Sequence, residues 1–247
     1  MSTDSIDLVV QLNNEGVSLL ASGQDREAAV SLTQSLNIIQ KSLSSQLDRA
    51  PSTTEASSSF RTTRTTLMKG GEQSSNDVST TTTSTPAIYS KHTLANLQDD
   101  SCYFIYNKAV MIYPDAARES PEMLHVYSAS IILNLALVYH RQGRKGHNKF
   151  CIQKAEKFYR MVNFLLKECP LEDPTAVFIR LVAVNNLSHI HYEQQNFEQT
   201  REGLEWLSFL IQKVEPNRSS LLEQADLDLL LMNVLLLMTP PNAAPAA

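Results

Sequence analysis

The sequence predicts an all-α protein, an array of helical hairpins broken by one long polar insert and one short apolar segment. Three observations predict it. Helical periodicity runs through residues 4–47 and returns through residues 118–239. About half of the residues in 51–86 are Ser or Thr. Within the helical zones, one spacing of small and bulky residues recurs around Gly16, Ala136 and Ser188.

The first element is the stretch "NNEGVSLLASGQDREAAVSL", which reads as two helices parted at Gly23. Gly16 lies inside the first helix, where glycine costs about 1 kcal/mol relative to alanine. A small residue is worth that cost if it lets an antiparallel helix approach closely and interlock. Residues 48–100 follow, and their Ser/Thr-rich composition cannot bury enough apolar surface to offset ordering entropy, so they are expected to be a disordered insert.

Residues 101–117 contain "CYFIYNKAVMIYP", rich in aromatic and β-branched residues. It reads either as an extended segment held against the helices or as a β-hairpin turning at Asn107-Lys108. It is too apolar to lie free in water, so it is expected to cover the array and to fill part of any groove as an internal ligand. Five further helices are expected. Ser120-Pro121-Glu122 and Asp173-Pro174 are start signals, Gly143 and Gly146 bracket a break, and "CPLEDP" separates two helices. Asn217 or Ser219 caps the last helix, and residues 240–247 form a disordered tail.

The three units align in detail. Four residues before the small residue stand Leu12, Ile132 and Val184; three after it stand Leu19, Tyr139 and His191. Seven after it come Gly23, Gly143 and Gln195, where the first helix of each pair should end. The second helices then offer Ala28, Leu32 and Ser35; Ala155, Tyr159 and Val162; and Thr200, Leu204 and Leu207, each trio on one helical face.

This pattern resembles the tetratricopeptide (TPR) repeat. The resemblance rests on Leu12, Gly16, Leu19, Ala28 and Leu32, on Ile132, Leu135, Ala136, Tyr139, Ala155 and Tyr159, and on Val184, Leu187, Ser188, His191, Phe197 and Leu204. It covers about two-thirds of the chain. Glu15, Ser35 and Thr200 depart from the family pattern. The stretch "RKGHNKF" reads as a lengthened turn in the second unit, and the interval from Ala155 to Ser188 is about eleven residues longer than a roughly 34-residue period leaves between those two positions. Longer helices, as in the TPR-like repeats of kinesin light chains, would absorb that excess. The resemblance implies a TPR-like solenoid of about three helix pairs plus a C-terminal capping helix.

It also implies a concave face. Asn14, Asn134 and Asn186 each stand two residues before the small residue. That position resembles the asparagine ladder of the O-GlcNAc transferase superhelix. A carboxamide carries both a donor and an acceptor, matching the peptide unit it would bind. The partner-binding set is then Asn13, Asn14, Val17, Leu20, Asn134, His140, Arg141, Asn185, Asn186, His189, Tyr192 and Glu193. These asparagines are expected to bind a protein or peptide ligand without supporting the fold. Recognition of a chaperone's terminal carboxylate is not expected. The equivalent places hold Asn13, Val17, Val182 and Asn186, which lack the cations for it, and Asn134 alone fits.

Composition excludes other classes. The net charge of −5 and the lack of a basic stripe argue against nucleic-acid binding. The apolar run at 227–238 is too short to span a bilayer and contains Asp228 and Asn233, so no membrane partner is expected. Cys102, Cys151 and Cys169 make no disulfide framework, and the acidic start lacks a secretory n-region. A cytoplasmic or nuclear protein is expected. No phosphate loop or nucleophile motif appears, and His189 and His191 point to different helix faces, so neither an enzyme, nor a cofactor, nor a metal site is expected. In the last helix Asp226 and Asn233 share a stripe with Leu230 and Leu237, which reads as an oligomer contact. The alternative function is therefore a structural subunit assembling as a homo-oligomer through this helix; an enzyme is a distant third.

Overall fold

The computed structural model describes residues 3–47, 105–113, 121–167, 169–170, 173–213 and 224–238. The Ser/Thr-rich insert, Cys102, the caps at Ser120, Asn217 and Ser219, and the tail at 240–247 lie outside the described residues. Among the described residues there are seven α-helices and no strand: α1 (Thr3–Ala21), α2 (Asp25–Leu47), α3 (Pro121–Lys145), α4 (Lys149–Leu165), α5 (Pro174–Glu193), α6 (Phe197–Lys213) and α7 (Gln224–Met238). Each helix packs on the next in chain order, and α1, α3, α5 and α7 also touch one another in succession. The odd-numbered helices therefore share a face.

Three hairpins turn in the same way. Gly23, His147 and Gln195 take φ of 79°, 47° and 61°. The following residues, Gln24, Asn148 and Asn196, donate their N–H groups to Leu19, Gly143 and His191 carbonyls at 2.9, 2.8 and 2.9 Å. Their own carbonyls accept from Ala28, Ile152 and Thr200, starting the second helix. This left-handed closure satisfies the last carbonyls of one helix while reversing the chain.

The shared turn corrects the reading of the second unit. The turn around Gly146 is no longer than the other two, and Gly143 lies inside α3. Gly16 and Ser188 stand seven residues before the left-handed residue, whereas Ala136 stands eleven before it. The excess is about one added helical turn in α3, matched by an added turn in α4. One turn restores the same face, which is why Ala155, Tyr159 and Val162 are still fully buried.

Gly16 has the expected role. A Cβ built there would meet Leu32 Cγ at 2.6 Å and Cδ2 at 2.9 Å. Gly143 does the same against Ile152, at 2.6 Å from Cδ1, and Gly203 does it against the Ser188 hydroxyl. In the third hairpin the glycine is on the second helix, so closeness is kept while the small partner changes sides.

The core follows α3. Residues from Val126 through Val138 are buried throughout. By length and composition α3 could cross a bilayer, but 89% of its apolar window is buried against the rest of the chain. Asp173 caps α5 as expected, accepting from Thr175 N at 2.9 Å and Ala176 N at 3.2 Å. Asn148 does the same for α4.

α7 corrects another expectation. Leu230 and Leu237 are 0% and 7% exposed, so they face the chain's own core with Asp226 and Asn233. They are not an oligomer contact surface. The outward apolar face is Leu231, Met232, Leu235, Leu236 and Met238.

Candidate functional site

The shared face of α1, α3 and α5 holds residues 105–113. This segment contains no strand, and it does not fold back at Asn107-Lys108. It crosses α5, then α3, then α1 in one direction, so the extended alternative is the one realised.

Three asparagines grip it, each by both ends of one residue's backbone. Asn186 on α5 accepts from Tyr106 N at 2.8 Å and donates to Tyr106 O at 3.1 Å. Asn134 on α3 accepts from Val110 N and donates to Val110 O, both at 2.8 Å. Asn14 on α1 accepts from Ile112 N at 2.9 Å and donates to Ile112 O at 2.8 Å. Each pair reproduces what a neighbouring strand would supply, so these three residues keep their backbone groups satisfied without a sheet.

The paired asparagines brace the grips. Asn13 donates to Val110 O at 3.1 Å and accepts from Asn134 Nδ2 at 3.0 Å. Asn185 donates to Asn186 Oδ1 at 3.0 Å and accepts from Asn233 Nδ2 on α7 at 2.7 Å. Asn13, Asn134, Asn185 and Asn186 are essentially inaccessible to solvent. The expectation that these side chains stand apart from the fold is therefore overturned: they satisfy a buried stretch of this chain.

Apolar side chains fill the remainder. Ile105, Tyr106, Ala109, Val110 and Ile112 are buried, and the Tyr106 ring meets Phe178 edge-on at 5.7 Å between centroids. Lys108 reaches Asp226 Oδ1 on α7 at 2.6 Å, with the Asp226 side chain only 4% exposed.

The other expected site residues divide. Val17 and Leu20 are buried in the core cluster. Arg141 pins α1 to α3, donating to Leu20 O at 2.9 Å and pairing with Asp25 at 3.4 Å. His140 on α3 and His189 on α5 are buried, with ring centroids 6.0 Å apart. Burial pushes the His140 pKa down to about 3, aided by His189 and then Arg144; burial and Arg144 push His189 down to about 4. Both rings are neutral at pH 7. His140 Nδ1 lies 3.2 Å from the Tyr159 hydroxyl, which also accepts from Asn186 Nδ2 at 3.2 Å. Tyr192 is half-buried against Phe197, and Glu193 is exposed. His191 is buried beside Arg160, as a core position should be.

Reading the sequence missed Lys108, Tyr159 and Asp226 as members of this network. Asp226 and Asn233 gave a signal, two polar residues seven apart on one stripe of a mainly apolar helix. Comparison of the chain with protein-family models, curated proteins and solved structures returned no match.

Proposed function

We propose that this chain is a TPR-like interaction module, non-catalytic, whose concave face takes an extended peptide by its backbone and is held filled by the chain's own residues 105–113. One observation carries the reading: three asparagines on successive odd-numbered helices each make a paired hydrogen bond to one residue of a single extended segment. A site that reads backbone tolerates many side chains, which suits exchange between an internal and an external ligand. The external ligand would run from α5 towards α1. It would be apolar where Tyr106, Val110 and Ile112 lie and basic where Lys108 meets Asp226. The negative net charge supports a protein ligand over a nucleic acid.

Protease sites engineered within 48–104 and 114–120 would turn the segment into a separate peptide. A fluorescent peptide of the 105–113 sequence should then exchange into the nicked, folded protein, and Asn134→Ala should weaken its binding more than tenfold. Failure to exchange, or equal binding by the Asn134→Ala form, would remove the reading.

A second reading has its own observation. The outward face of α7 is apolar, with Leu235 67% exposed, and the Trp206 and Phe209 rings stack at 5.0 Å on neighbouring α6 with both rings partly open to solvent. That arrangement supports a subunit that assembles through its last two helices. Light scattering on the purified chain, with Leu235→Asp as comparison, tests it; a monomer at high concentration would end it.

A further inference from the structure

The expectation of no metal rests on His189 and His191 diverging around one helix. The tertiary structure pairs His189 with a different residue. His140 on α3 and His189 and Glu193 on α5 bring one potential ligand atom each to within 4.8 Å of one another. We propose that His140, His189 and Glu193 form a binding site for a divalent transition-metal ion of the zinc class, bridging α3 and α5 at the edge of the filled groove.

The donor set selects the metal. Two imidazole nitrogens and one carboxylate suit zinc, cobalt, nickel or copper, whereas calcium and magnesium prefer all-oxygen sites. Both imidazoles are held neutral by burial, the form that ligates. His140 Nε2 is buried and makes no hydrogen bond, so a ring that lies 6.0 Å from that of His189 carries an unsatisfied atom. The ring's other nitrogen is engaged by Tyr159, and an outer partner of that kind fixes the ring orientation of a ligating histidine.

The remaining ligands are positioned to close. His189 and Glu193 are four apart on α5, one above the other, with Nε2 and Oε1 at 3.7 Å. A neutral His189 gains little from that carboxylate as an ion pair. Bonds of about 2.0–2.2 Å put tetrahedral donors roughly 3.4 Å apart, so a small inward movement suffices. Glu193 ends α5, and its side chain is 40% exposed, which leaves it free to make that movement. A cleft of about 1010 Å³, lined by Arg144, His147, Ile190 and Glu193 among others, reaches Glu193 from solvent.

Arg144 is the competitor. Its Nε lies 3.8 Å from Glu193 Oε1, and its charge acts on both histidines. The guanidinium places positive charge beside the carboxylate that the ion would neutralise. Binding therefore requires Arg144 to swing into the cleft, and its removal should strengthen binding.

Titration of the full, tag-free chain with Co²⁺ near neutral pH tests the site, read from visible absorbance, with Zn²⁺ as competitor. One ion per chain should bind, with the intense bands of a four-coordinate site. Glu193→Gln should weaken it at least tenfold, and Arg144→Gln should tighten it severalfold; both side chains are partly exposed, so these variants should fold. His140→Gln should abolish the signal, and His147→Ala, altering a cleft residue outside the triad, should leave it unchanged. No saturable one-to-one signal, or one indifferent to Glu193→Gln and Arg144→Gln, would overturn the proposal.

Discussion

On the face where α1, α3 and α5 meet residues 105–113, asparagines are buried; on the far side of α7, leucines and methionines are exposed. The two regions reverse the usual placement of polar and apolar side chains. In the first, carboxamides replace water for the peptide groups of an apolar segment, so their burial is compensated bond by bond. In the second, the apolar groups stay largely open to solvent, Leu235 the most so. Polarity alone therefore does not say which face of a helix is buried here; what must be said is which partner satisfies it.

The comparison can be broken most sharply on α7 itself. Leu230 is fully buried and Leu235 is 67% exposed. Leu230→Asp puts an unpaired charge in the core and should cost at least about 4 kcal/mol, read as unfolding or a large drop in the urea midpoint.

A somewhat smaller loss is expected within the ladder. Asn134→Ala leaves the buried Val110 N–H and Asn13 Oδ1 without their partner, and should cost about 2–4 kcal/mol in urea denaturation. Asn14→Ala should cost about 1 kcal/mol, because Asn14 itself is only half-buried and water can replace the carboxamide. Equal losses at the two positions would show that solvent access does not grade the ladder.

The neutral histidines beside the ladder give a pH signature. Their folded pKa values, about 3 and about 4, lie below the unfolded value of 6.5. The unfolded chain then binds protons that the native chain does not, so stability is full above pH 6.5 and falls as pH drops towards 4. Each histidine contributes up to about 1.4 kcal/mol per pH unit in that window. His140→Gln should flatten the decline, measured as the slope of unfolding free energy between pH 7 and pH 5; an unchanged slope would remove His140 from it.

The smallest effect is expected on the exposed side of α7. Leu235→Asp should change monomer stability by no more than about 0.5 kcal/mol. A clear loss at low concentration would mean that another part of the chain covers this face.

The hairpins were legible because each rests on local patterns. Glycine opposite leucine, small residues at helical spacing and Asp173-Pro174 at a helix start act over one or two turns. The added turn in α3 and α4 was misassigned to the connection around Gly146, since a turn inserted in both arms keeps every residue on its face and leaves no periodic trace. His147 and Gln195 carried no left-handed signal either, because glycine marks that conformation only at Gly23. The face of α7 was misread for a related reason. Its outward positions are as apolar as its inward ones, and the buried stripe is the one that contains Asp226 and Asn233.

By itself the sequence determined the helices, their pairing into hairpins and the recurrence of asparagine two residues before each small contact, because helical period and close packing are set by neighbours along the chain. Only the tertiary structure decided what the asparagines hold, where Lys108 finds Asp226 and how His140 comes to stand beside His189 and Glu193. Those contacts join residues far apart in the chain, and a carboxamide, an ammonium group or an imidazole accepts many partners of the right polarity. Which one it meets depends on how α1, α3, α5 and α7 bring their shared face together.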